Sequence, residues 1–416
     1  MSELINRPIY LEQLIQHKDK DLIKIITGIR RCGKSSILDL FHDYLLKNGI
    51  KKSNIIHINL ESLKYRDLKD YISLYDYVSR KIAKKGKTYL IFDELQSIEH
   101  WEKAIESFRI DFDVDIYITG SNAYLLSTEF STLLSGRYVE ICIMPLSFKE
   151  FLDFYKYPAN VTNEEKFQKY LQFGGMPVLR EYDFNEVRSN QVLEGIYSTV
   201  ILKDILQRVN SVDQNTLQKI IKYLCSNIGS ITSPNNIGNV LSTEGSINKN
   251  NGKNNIAGKT VEKYISYLRN SFFFYSVGRY DVKGRQLLKT LDKNYIIDLG
   301  FRNLLLGYRE ADRGHILENI VFLELLRRNY KVYIGKIGDK EVDFVAEKAS
   351  EKIYIQVTES MISPEVAERE LRPLQAIKDN YEKIILSLDR SFINSFNGIK
   401  ALNLIDWLLE WSKNKT

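Results

Sequence analysis

A glycine-rich segment close to the start of the chain contains the residues with the clearest chemistry. Residues 28–35 have the spacing G-x-x-x-x-G-K-[ST], which is typical of a loop that binds the phosphates of a nucleotide. The glycines let backbone N–H groups turn around phosphate oxygens, Lys34 can bridge the β- and γ-phosphates, and the Ser35 hydroxyl can bind Mg²⁺. The contact residues that we predict are Gly28, Ile29, Arg30, Arg31, Cys32, Gly33, Lys34, Ser35 and Ser36.

The sequence around this loop argues against a chance match. Residues 22–26 form an apolar run typical of a buried strand, and residues 36–46 have a helical period. A strand, a glycine loop and a helix thus follow each other in the order that a phosphate-binding loop requires. We interpret Cys32 within the loop as a small filler. The alternative is that the neighbouring basic residues give its thiol some thiolate character, so that alkylation would block nucleotide binding.

A pair of carboxylates ends a second apolar run. Residues 88–92 are typical of a buried strand and are followed directly by Asp93 and Glu94. Ligands of open parallel sheets collect at the carboxyl ends of the strands, where Asp93 can orient the water shell of Mg²⁺ and Glu94 can polarise the attacking water. A strand that ends in Asp-Glu is also a common turn onset, but the phosphate loop upstream favours catalysis. We therefore predict Ser35 and Asp93 as metal ligands and Glu94 as a catalytic residue.

Two further polar residues are candidates for a role in catalysis. Asn122 follows a predicted strand at 115–119 and can orient a water between Glu94 and the γ-phosphate, because an amide both donates and accepts hydrogen bonds. Alternatively, residues 120–122 only cap the next helix. Arg137 precedes a predicted fifth strand, a position from which oligomeric ATPases supply an arginine to a neighbour's γ-phosphate. The alternative is a surface arginine at a helix C-terminus, which the helix dipole favours.

Several short motifs that follow one another along the chain resemble those of one protein family. They are Gly28-x4-Gly33-Lys34-Ser35, Phe92-Asp93-Glu94-Leu95-Gln96 with Trp101, Thr119-Gly120-Ser121-Asn122, Ser135-Gly136-Arg137, Pro145-Leu146-Ser147-Phe148-Lys149-Glu150-Phe151 and Gly174-Gly175-Met176-Pro177. Together they resemble the AAA-type ATPases of bacteria and archaea that carry a C-terminal domain of unknown function with a nuclease-like core. The resemblance covers nearly the whole chain. It implies an αβα sandwich with the P-loop strand between neighbours, then a helical lid in which residues 174–177 and Arg180 lie near the nucleotide.

The segment after the lid is predicted to contain helices followed by strands. Residues 217–228 and 259–269 have helical patterns, separated by a polar run at 242–258 that we predict to be a mobile loop. Residues 272–277 and 286–288 are predicted to be two strands of one hairpin. This order is the outline of a winged helix, and the family resemblance supports it.

The same segment raises the hypothesis of DNA binding. Basic side chains on its second helix and in the turn of its hairpin can contact phosphates: Lys259, Lys263, Arg269, Lys283 and Arg285. The alternative is a basic, solvated surface on a winged helix that binds protein. The two differ in salt dependence, because contacts with DNA phosphates weaken steeply as the salt concentration rises.

The last part of the chain resembles the core of restriction-endonuclease-like enzymes. A helix with Glu318 near its start is followed by three segments that alternate as strands do. In that family an acidic residue on the helix, an Asp on one strand and a Glu-x-Lys or Gln-x-Lys on the next assemble a Mg²⁺ site, and Glu318, Asp343 and Gln356 match by position. Thr358 stands in place of the lysine, and neutral Gln356 leaves only two carboxylates. We therefore predict a retained fold with lost or very weak nuclease activity.

Length and composition exclude several classes of protein. A chain of 416 residues suggests about three domains, and 44% hydrophobic with 27% charged residues is typical of a folded globular chain. No apolar stretch approaches the ~20 residues of a membrane span, and the N-terminus lacks a signal-peptide pattern, so a cytoplasmic protein is expected. Three widely spaced cysteines indicate neither a disulfide framework nor a zinc site. A net charge of +6 permits nucleic-acid contact without requiring it.

The sequence thus predicts an α/β protein with four segments. They are a P-loop AAA-type ATPase core at 1–145 (an αβα sandwich), a helical lid at 146–210, a winged-helix-like segment at 211–300 with its loop at 242–258, and an inactive restriction-endonuclease-like α/β domain at 301–416. The leading hypothesis is an ATPase that hydrolyses Mg-ATP and couples hydrolysis to conformational change. Arg137 would act in trans in a homo-oligomer, and DNA is a candidate partner. The alternatives are an ATP-dependent switch that recruits a protein with little turnover, and an ATP-regulated nuclease.

Overall fold

The fold is taken from a computed structural model, which describes residues 4–121, 123, 136–206, 213–245, 256–288, 291–309, 313–390 and 395–410. Asn122 lies outside these residues, as does most of the polar run at 242–258. The chain divides into two compact units, Met1–Pro145 with Asn270–Phe272, and Leu146–Arg269 with Phe273–Thr416. The finer division of the second unit into lid, middle segment and C-terminal domain remains a prediction. None of the helices among the described residues is long and apolar enough to cross a membrane.

The first unit is built on a five-stranded parallel sheet. Its strands are β1 (Ile23–Thr27), β2 (Ile55–Asn59), β3 (Thr88–Asp93), β4 (Val114–Thr119) and β5 (Tyr138–Cys142). Their order in the sheet is β2-β3-β4-β1-β5, with every pairing parallel. The helices of this unit are α1 (Pro8–Gln16), α2 (Lys34–Lys47), α3 (Tyr71–Ser79) and α4 (Trp101–Asp111), with 3-10 turns at Lys52–Asn54, Leu63–Tyr65 and Leu95–Ser97. The predicted parallel sheet with the P-loop strand between two neighbours is confirmed.

Burial explains why the central strands of this sheet are almost entirely apolar. Every residue of β1 and β3 is buried, because helices cover both faces of a parallel sheet. Lys24 is the charged exception within β1. Its Nζ lies 2.5 Å from Oδ1 of Asp115 on the neighbouring β4, and the hydroxyl of Tyr117 donates to Oδ2 of the same carboxylate at 2.9 Å. This buried ion pair therefore leaves Lys24 with an opposite charge beside it.

The second unit combines helices with two sheets. Its helices are α5 (Phe148–Phe154), α6 (Asn163–Phe173), α7 (Glu186–Thr199), α8 (Gln214–Ser226), α9 (Pro234–Gly245), α10 (Gly258–Asn270), α11 (Leu299–Leu306), α12 (Arg313–Arg327), α13 (Pro364–Gln375) and α14 (Leu404–Leu409), with a 3-10 helix at Pro177–Tyr182 and a π-helix at Val200–Leu206. Its strands are β6 (Ile231–Thr232), β7 (Phe274–Val277), β8 (Arg279–Asp281), β9 (Gln286–Leu287), β10 (Asp292–Ile296), β11 (Lys331–Ile337), β12 (Lys340–Lys348), β13 (Glu351–Val357), β14 (Glu382–Ser387), β15 (Ser395–Phe396) and β16 (Ile399–Asn403). They form a three-stranded sheet, β6-β10-β7, and an eight-stranded mixed sheet, β15-β16-β14-β13-β12-β11-β8-β9.

The predicted hairpin of residues 272–277 with 286–288 is wrong. β7 pairs with β10 in the small sheet, whereas β9 pairs with β8, which joins the large sheet beside β11. The burial of the strands gives the physical reason. Four of the five residues of β10 are buried, and both residues of β9 are exposed. An exposed two-residue strand offers no apolar face against β7, so the more distant β10 takes its place.

The predicted loop at 242–258 also begins too early, because α9 extends to Gly245. Asparagine, glycine and serine are frequent in α9, and these residues have low helix propensity. Two buried side chains four residues apart, Ile237 and Leu241, anchor its inner face. Its first turn is held by the hydroxyl of Ser233, which accepts a hydrogen bond from the backbone N–H of Asn236 at 3.1 Å. Tertiary packing thus overrides a local sequence that favours a loop.

Residues 174 and 175 lie at a buried junction of the second unit. The carboxylate of Asp298, which caps α11, accepts hydrogen bonds from the backbone N–H of Gly175 at 2.6 Å and of Gly300 at 2.9 Å. A Cβ on Gly174 would lie 2.0 Å from Oδ1 of Asp298, and one on Gly175 would lie 2.4 Å from the carbonyl of Leu146. Both positions therefore require glycine for a close approach, and this motif has a structural role within its own unit.

Asp298 gives a testable pH dependence. Burial raises its pKa to about 7, so the native state binds this proton more tightly than the unfolded chain does. A raised carboxyl pKa means that stability is greatest at low pH and falls as pH rises from about 4 towards 7, by up to ~1.4 kcal/mol per pH unit. We expect the melting temperature of Asp298→Asn to lie below that of wild type at pH 5, because one hydrogen bond is lost, and to fall less between pH 5 and 8.

The matched control is Asp213→Asn, which also alters a carboxylate at a helix N-cap of this unit. Hydrogen bonding to Thr216 lowers the pKa of Asp213, so this group stays ionised throughout the range from pH 5 to 8. Its substitution should therefore lower the melting temperature equally at each pH. If Asp298→Asn shows the same pH slope as wild type in thermal unfolding, the assignment of the titration to Asp298 is wrong.

Candidate active site

The loop between β1 and α2 has the backbone geometry that a phosphate cradle needs. Gly28 has φ of 138°, and a Cβ there would lie 2.1 Å from the carbonyl oxygen of Ile143. Gly33, at the N-cap of α2, has φ of 104°. L-residues rarely adopt these backbone conformations, so glycine is required at both ends of the loop. Between them, Arg31 also has a positive φ, of 66°.

Lys34 lies buried at the mouth of this loop. Its ammonium donates hydrogen bonds to the carbonyl oxygens of Gly28 at 2.9 Å and Ile29 at 3.2 Å. These neutral carbonyls hold the ammonium over the loop, where phosphate oxygens can replace them as stronger, charged acceptors. Ser35 and Ser36 are exposed on the first turn of α2, so their hydroxyl groups are accessible to a nucleotide and its metal ion.

The surroundings of Cys32 favour the first interpretation, a small filler. Its side chain is fully buried, and burial raises the pKa of the thiol despite the nearby charges of Lys34 and Arg7. The neighbouring charges are present as expected, but loss of hydration outweighs them and disfavours the thiolate that the alternative interpretation requires.

Arg7 is a residue of the loop that sequence reasoning missed. Its Nη1 donates to the carbonyl of Cys32 and its Nη2 to the carbonyl of Met144, both at 2.9 Å. The guanidinium also lies 4.6 Å from the ring centroid of Tyr10 on α1. Arg7 thus connects the N-terminal helix, the phosphate loop and the segment after β5. No local pattern marks it, because its partners are 25 and 137 residues away.

Asp93, at the end of β3, is held by side chains from both neighbouring strands. Oγ1 of Thr119 on β4 donates to Oδ1 of Asp93 at 2.5 Å, and Nδ2 of Asn59 on β2 donates to Oδ2 at 3.2 Å. The carboxylate is buried and oriented at the carboxyl edge of the sheet. This is the edge at which the phosphate loop also begins, since β1 is parallel to β3 and β4.

Two residues beside Asp93 have pKa values shifted by burial. Burial lowers the pKa of His57 on β2, so its imidazole is neutral at pH 7. Burial raises the pKa of Asp39 on α2, and the nearby charge of Asp93 raises it further. The distance between His57 Nδ1 and Asp39 Oδ1 is 4.0 Å. The neutral imidazole therefore places no fixed positive charge near Asp93, which leaves its carboxylate available for a metal ion.

Glu94 has an unusual backbone for a residue other than glycine. Its φ of 57° and ψ of 47° lie in the left-handed region, which costs roughly 1–2 kcal/mol. The hydroxyl of Thr119 accepts a hydrogen bond from the Glu94 N–H at 2.9 Å, and Nε2 of Gln96 donates to the Glu94 carboxylate. Thr119 therefore positions both predicted carboxylates at once. Strain retained at the end of a buried strand is typical of a functional position.

We expect Thr119→Val to slow ATP hydrolysis without loss of the fold. Valine has nearly the shape of threonine, but it removes the hydrogen bonds to Asp93 and to the backbone of Glu94. Displacement of these groups should lower the steady-state rate of phosphate release roughly 10-fold or more.

The control is Thr88→Val, at a fully buried position at the other end of β3, where the hydroxyl accepts from the N–H of Ala83 at 3.1 Å. This control should keep a rate close to that of wild type. Equal rates for the two variants would contradict the positioning role of Thr119.

A buried hydroxyl follows β4 at the same edge of the sheet. Ser121 is fully buried, and within the described part of the chain its Oγ has no hydrogen-bond partner, as is true of Oε1 of Gln96. Buried polar atoms without partners are rare in native structures and often indicate a site for water or ligand. Ser121 is therefore a further candidate for contact with the γ-phosphate or the attacking water. The sequence analysis assigned this role to Asn122, which lies outside the described residues.

Arg137 lies at the opposite edge of the sheet from the phosphate loop. It is exposed and directly precedes β5, and its carbonyl accepts a hydrogen bond from the N–H of Ile23 at the start of β1. Since β1 is five residues long, Arg137 and the loop are separated by roughly 16 Å along the strand. Arg137 is thus placed away from the phosphate loop of its own chain.

The four candidate residues of the C-terminal segment also come together. Glu318 on α12, Asp343 on β12, Gln356 on β13 and Thr358 line a cleft of about 430 Å³.

The basic residues on which the DNA hypothesis rests are all exposed. Lys259, Lys263 and Arg269 lie on α10, and Lys283 and Arg285 lie in the β8–β9 turn. The correction to the hairpin places that turn in the large sheet, apart from the three-stranded sheet.

Comparisons with known proteins place the phosphate loop in a family context. Residues 20–152 match an AAA domain, and residues 164–312 match a domain of unknown function, DUF8612. An uncharacterized protein of Haemophilus influenzae is 40% identical over 98% of this chain and 99% of its own length. An uncharacterized protein of Methanocaldococcus jannaschii is 29% identical over 91% of this chain and 82% of its own. The structure of a Walker-type ATPase of Pyrococcus abyssi aligns with 72% of this chain and 95% of its own, with a TM-score of 0.50 and 16% identity, which shows a shared fold.

Proposed function

We propose that this chain, which belongs to one family with the uncharacterized protein of Haemophilus influenzae and has an AAA domain at residues 20–152, hydrolyses Mg-ATP and couples hydrolysis to conformational change. The AAA domain itself supports ATP binding at the P-loop. One observation carries the rest of the proposal. The phosphate loop with Lys34 and the carboxylates that follow β3 lie at the same edge of one parallel sheet, where ligands of such sheets bind.

The residues at this edge fit a magnesium–nucleotide complex. The buried hydroxyl of Ser121, which has no hydrogen-bond partner among the described residues, can bond to a polar ligand atom, and the glycines of the loop let its backbone turn around phosphate oxygens. The Ser35 hydroxyl and the oriented Asp93 would hold Mg²⁺, which would neutralise phosphate charge when it is bound. Lys34 would bind the β- and γ-phosphate oxygens, and Glu94 would accept a proton from the attacking water. Thr119 would keep both carboxylates in place.

The proposal includes a role for Arg137 between subunits. Arg137 lies at the opposite edge of the sheet from its own phosphate loop, which fits a guanidinium that acts on another subunit's nucleotide rather than on its own. A guanidinium supplied in trans stabilises the charge of the transition state by a factor of about 10³ or more in well-studied phosphoryl transfers. We therefore propose a homo-oligomer as the active form.

DNA is a further candidate partner. In the second unit, α8, β6, α9, α10, β7 and β10 follow one another as helix, strand, helix, helix and two strands, and their three strands form one antiparallel sheet. This order supports the proposal of a winged helix, with Lys259, Lys263 and Arg269 exposed on its last helix. Binding to DNA should weaken steeply between 50 and 200 mM salt, at roughly one power of concentration per phosphate contact. Affinity that stays constant with salt would favour a protein partner.

A switch with little turnover is the second candidate function. One observation favours it. Nε2 of Gln96 donates a hydrogen bond to Oε2 of Glu94, so this oxygen of the predicted catalytic base is already engaged. Phosphate release under multiple turnover, with and without double-stranded DNA, separates the two functions. Over the course of the assay, an ATPase releases many phosphates per chain, whereas a switch releases about one per chain. Release that stops after one turnover in both conditions would contradict the ATPase proposal.

A further inference from the structure

A buried lysine lies beside Glu318, one of the residues that line the cleft of the second unit. Lys293 on β10 is 3% exposed, and its Nζ lies 3.2 Å from Oε2 of Glu318 on α12. The same ammonium lies 2.8 Å from Oε1 of Glu341 on β12. Lys293 thus connects the small sheet to the helix and the large sheet of the same unit. It is a cation in contact with one of the two carboxylates to which the resemblance to nucleases assigns a metal ion.

Other protein groups also contact the oxygens of the acidic side chains. Oε2 of Glu318 accepts from the hydroxyl of Tyr295 at 3.3 Å, and Oε1 of Glu318 lies 3.2 Å from Nδ1 of His315. Oδ2 of Asp343 accepts from the backbone N–H of Val357 at 2.8 Å. Protein donors therefore fill positions that metal-bound carboxylates would need to keep open.

A second pair of groups closes the cleft from α13. Nε2 of Gln356 donates to Oε2 of Glu370 at 2.8 Å, and Nη2 of Arg369 lies 2.7 Å from Oε1 of the same carboxylate. Glu370 is thus bonded on both oxygens. Gln356 thus donates to Glu370 through its amide nitrogen, and its Oε1 accepts from the backbone N–H of Asp343 at 3.4 Å.

The residues present do not fit a resident magnesium ion. Mg²⁺ requires about six oxygen ligands in octahedral geometry, and within the described part of the chain no group of three or more His, Cys, Asp or Glu side chains is arranged to hold a metal. An ammonium and a divalent cation also repel each other at such short range. The described residues beside Lys293 therefore offer no preformed magnesium site.

We propose that Lys293 is a built-in cation that takes the place of a divalent metal in the C-terminal cleft, so that this cleft binds no metal ion in the wild-type protein. Without a compensating cation, buried carboxylates would destabilise the fold strongly. No metal site is preformed among these side chains, but removal of the lysine amine should leave Glu318 and Glu341 without their cation, so that they can approach an added divalent ion together with Asp343. This inference concerns the second unit alone and does not depend on whether the P-loop hydrolyses ATP.

The test is Mn²⁺ binding to the full-length, nucleotide-free protein, measured as the loss of the free-ion EPR signal. Wild type should show no stoichiometric site in the cleft. Lys293→Ala should gain one Mn²⁺ per chain, bound at least about 10-fold more tightly than by wild type, because three carboxylates are left without a cation. Adding Asp343→Asn to Lys293→Ala should remove the gain.

Lys24→Ala is the matched control, because it also removes a buried lysine from an ion pair but leaves the single carboxylate of Asp115. This variant should lose stability and gain no Mn²⁺ site. If Lys293→Ala does not fold, Lys293→Arg and Lys293→Gln decide the question by thermal unfolding. The proposal expects the arginine variant to be the more stable of the two in the absence of metal. Three results would overturn the proposal. The first is stoichiometric Mn²⁺ binding by wild type that is lost in Asp343→Asn, and the second is a folded Lys293→Ala variant that binds no additional Mn²⁺. The third is equal stability of the Lys293→Arg and Lys293→Gln variants.

Discussion

Replacement of Lys34 with alanine is expected to abolish nucleotide binding. The ammonium of Lys34 is held over the phosphate loop by the carbonyls of Gly28 and Ile29, and it would exchange these neutral acceptors for phosphate oxygens. Two charge-assisted hydrogen bonds of about 1.5–3 kcal/mol each correspond to a loss of roughly 100-fold or more in affinity. A titration with a fluorescent ATP analogue measures this change directly.

The control for this variant is Lys47→Ala, which removes an exposed lysine from the last turn of the same helix. Its affinity for nucleotide should equal that of wild type, since this position lies at the far end of α2 from the loop. Circular dichroism of both variants should show unchanged secondary structure. If a folded Lys34→Ala variant binds nucleotide with wild-type affinity, the phosphate loop is not the nucleotide-binding site.

Glu94→Gln is expected to leave ATP bound but unhydrolysed. Glutamine keeps the size of glutamate and the strained backbone at this position, but it cannot accept a proton from the attacking water. Loss of a general base lowers rates typically by 10²–10⁴. The dissociation constant for ATP should stay near that of wild type, because Glu94 is proposed to act on water rather than on the nucleotide.

The control for Glu94→Gln is Glu99→Gln, an exposed glutamate five residues further along the same segment. It should retain wild-type turnover. Phosphate release and ATP affinity must be measured on the same preparations, because the proposal predicts a change in the first and not in the second. Ordinary turnover in Glu94→Gln would assign the proton transfer to another group.

The parts of the fold that depend on local sequence could be predicted. The phosphate loop is marked by glycines whose backbone angles no other residue readily adopts, and β1 and β3 are marked by continuous apolar runs because both faces of a parallel sheet are covered. The positions of Lys34 and Asp93 follow from these elements. The resemblance to nucleases also implied that Glu318, Asp343, Gln356 and Thr358 share one site, and these four residues line one cleft.

The parts that depend on distant contacts could not be predicted. Arg7 contacts the loop across 25 residues, and Thr119 reaches Asp93 from another strand, so neither role leaves a local pattern. The pairing of β7 with β10 was missed because a short, exposed hairpin lies between them in the chain. Lys293 was missed for the same reason, since its two glutamate partners come from α12 and β12. In each case the contact depends on burial against a residue that is distant in the sequence.

Isothermal titration calorimetry of the wild-type protein with ATP and Mg²⁺ tests the central claim most directly. The account predicts one saturable site per chain, because one phosphate loop, with Lys34 and the oriented Asp93 at the same sheet edge, supplies every proposed contact. A folded, full-length protein that takes up no ATP in the presence of magnesium would contradict it.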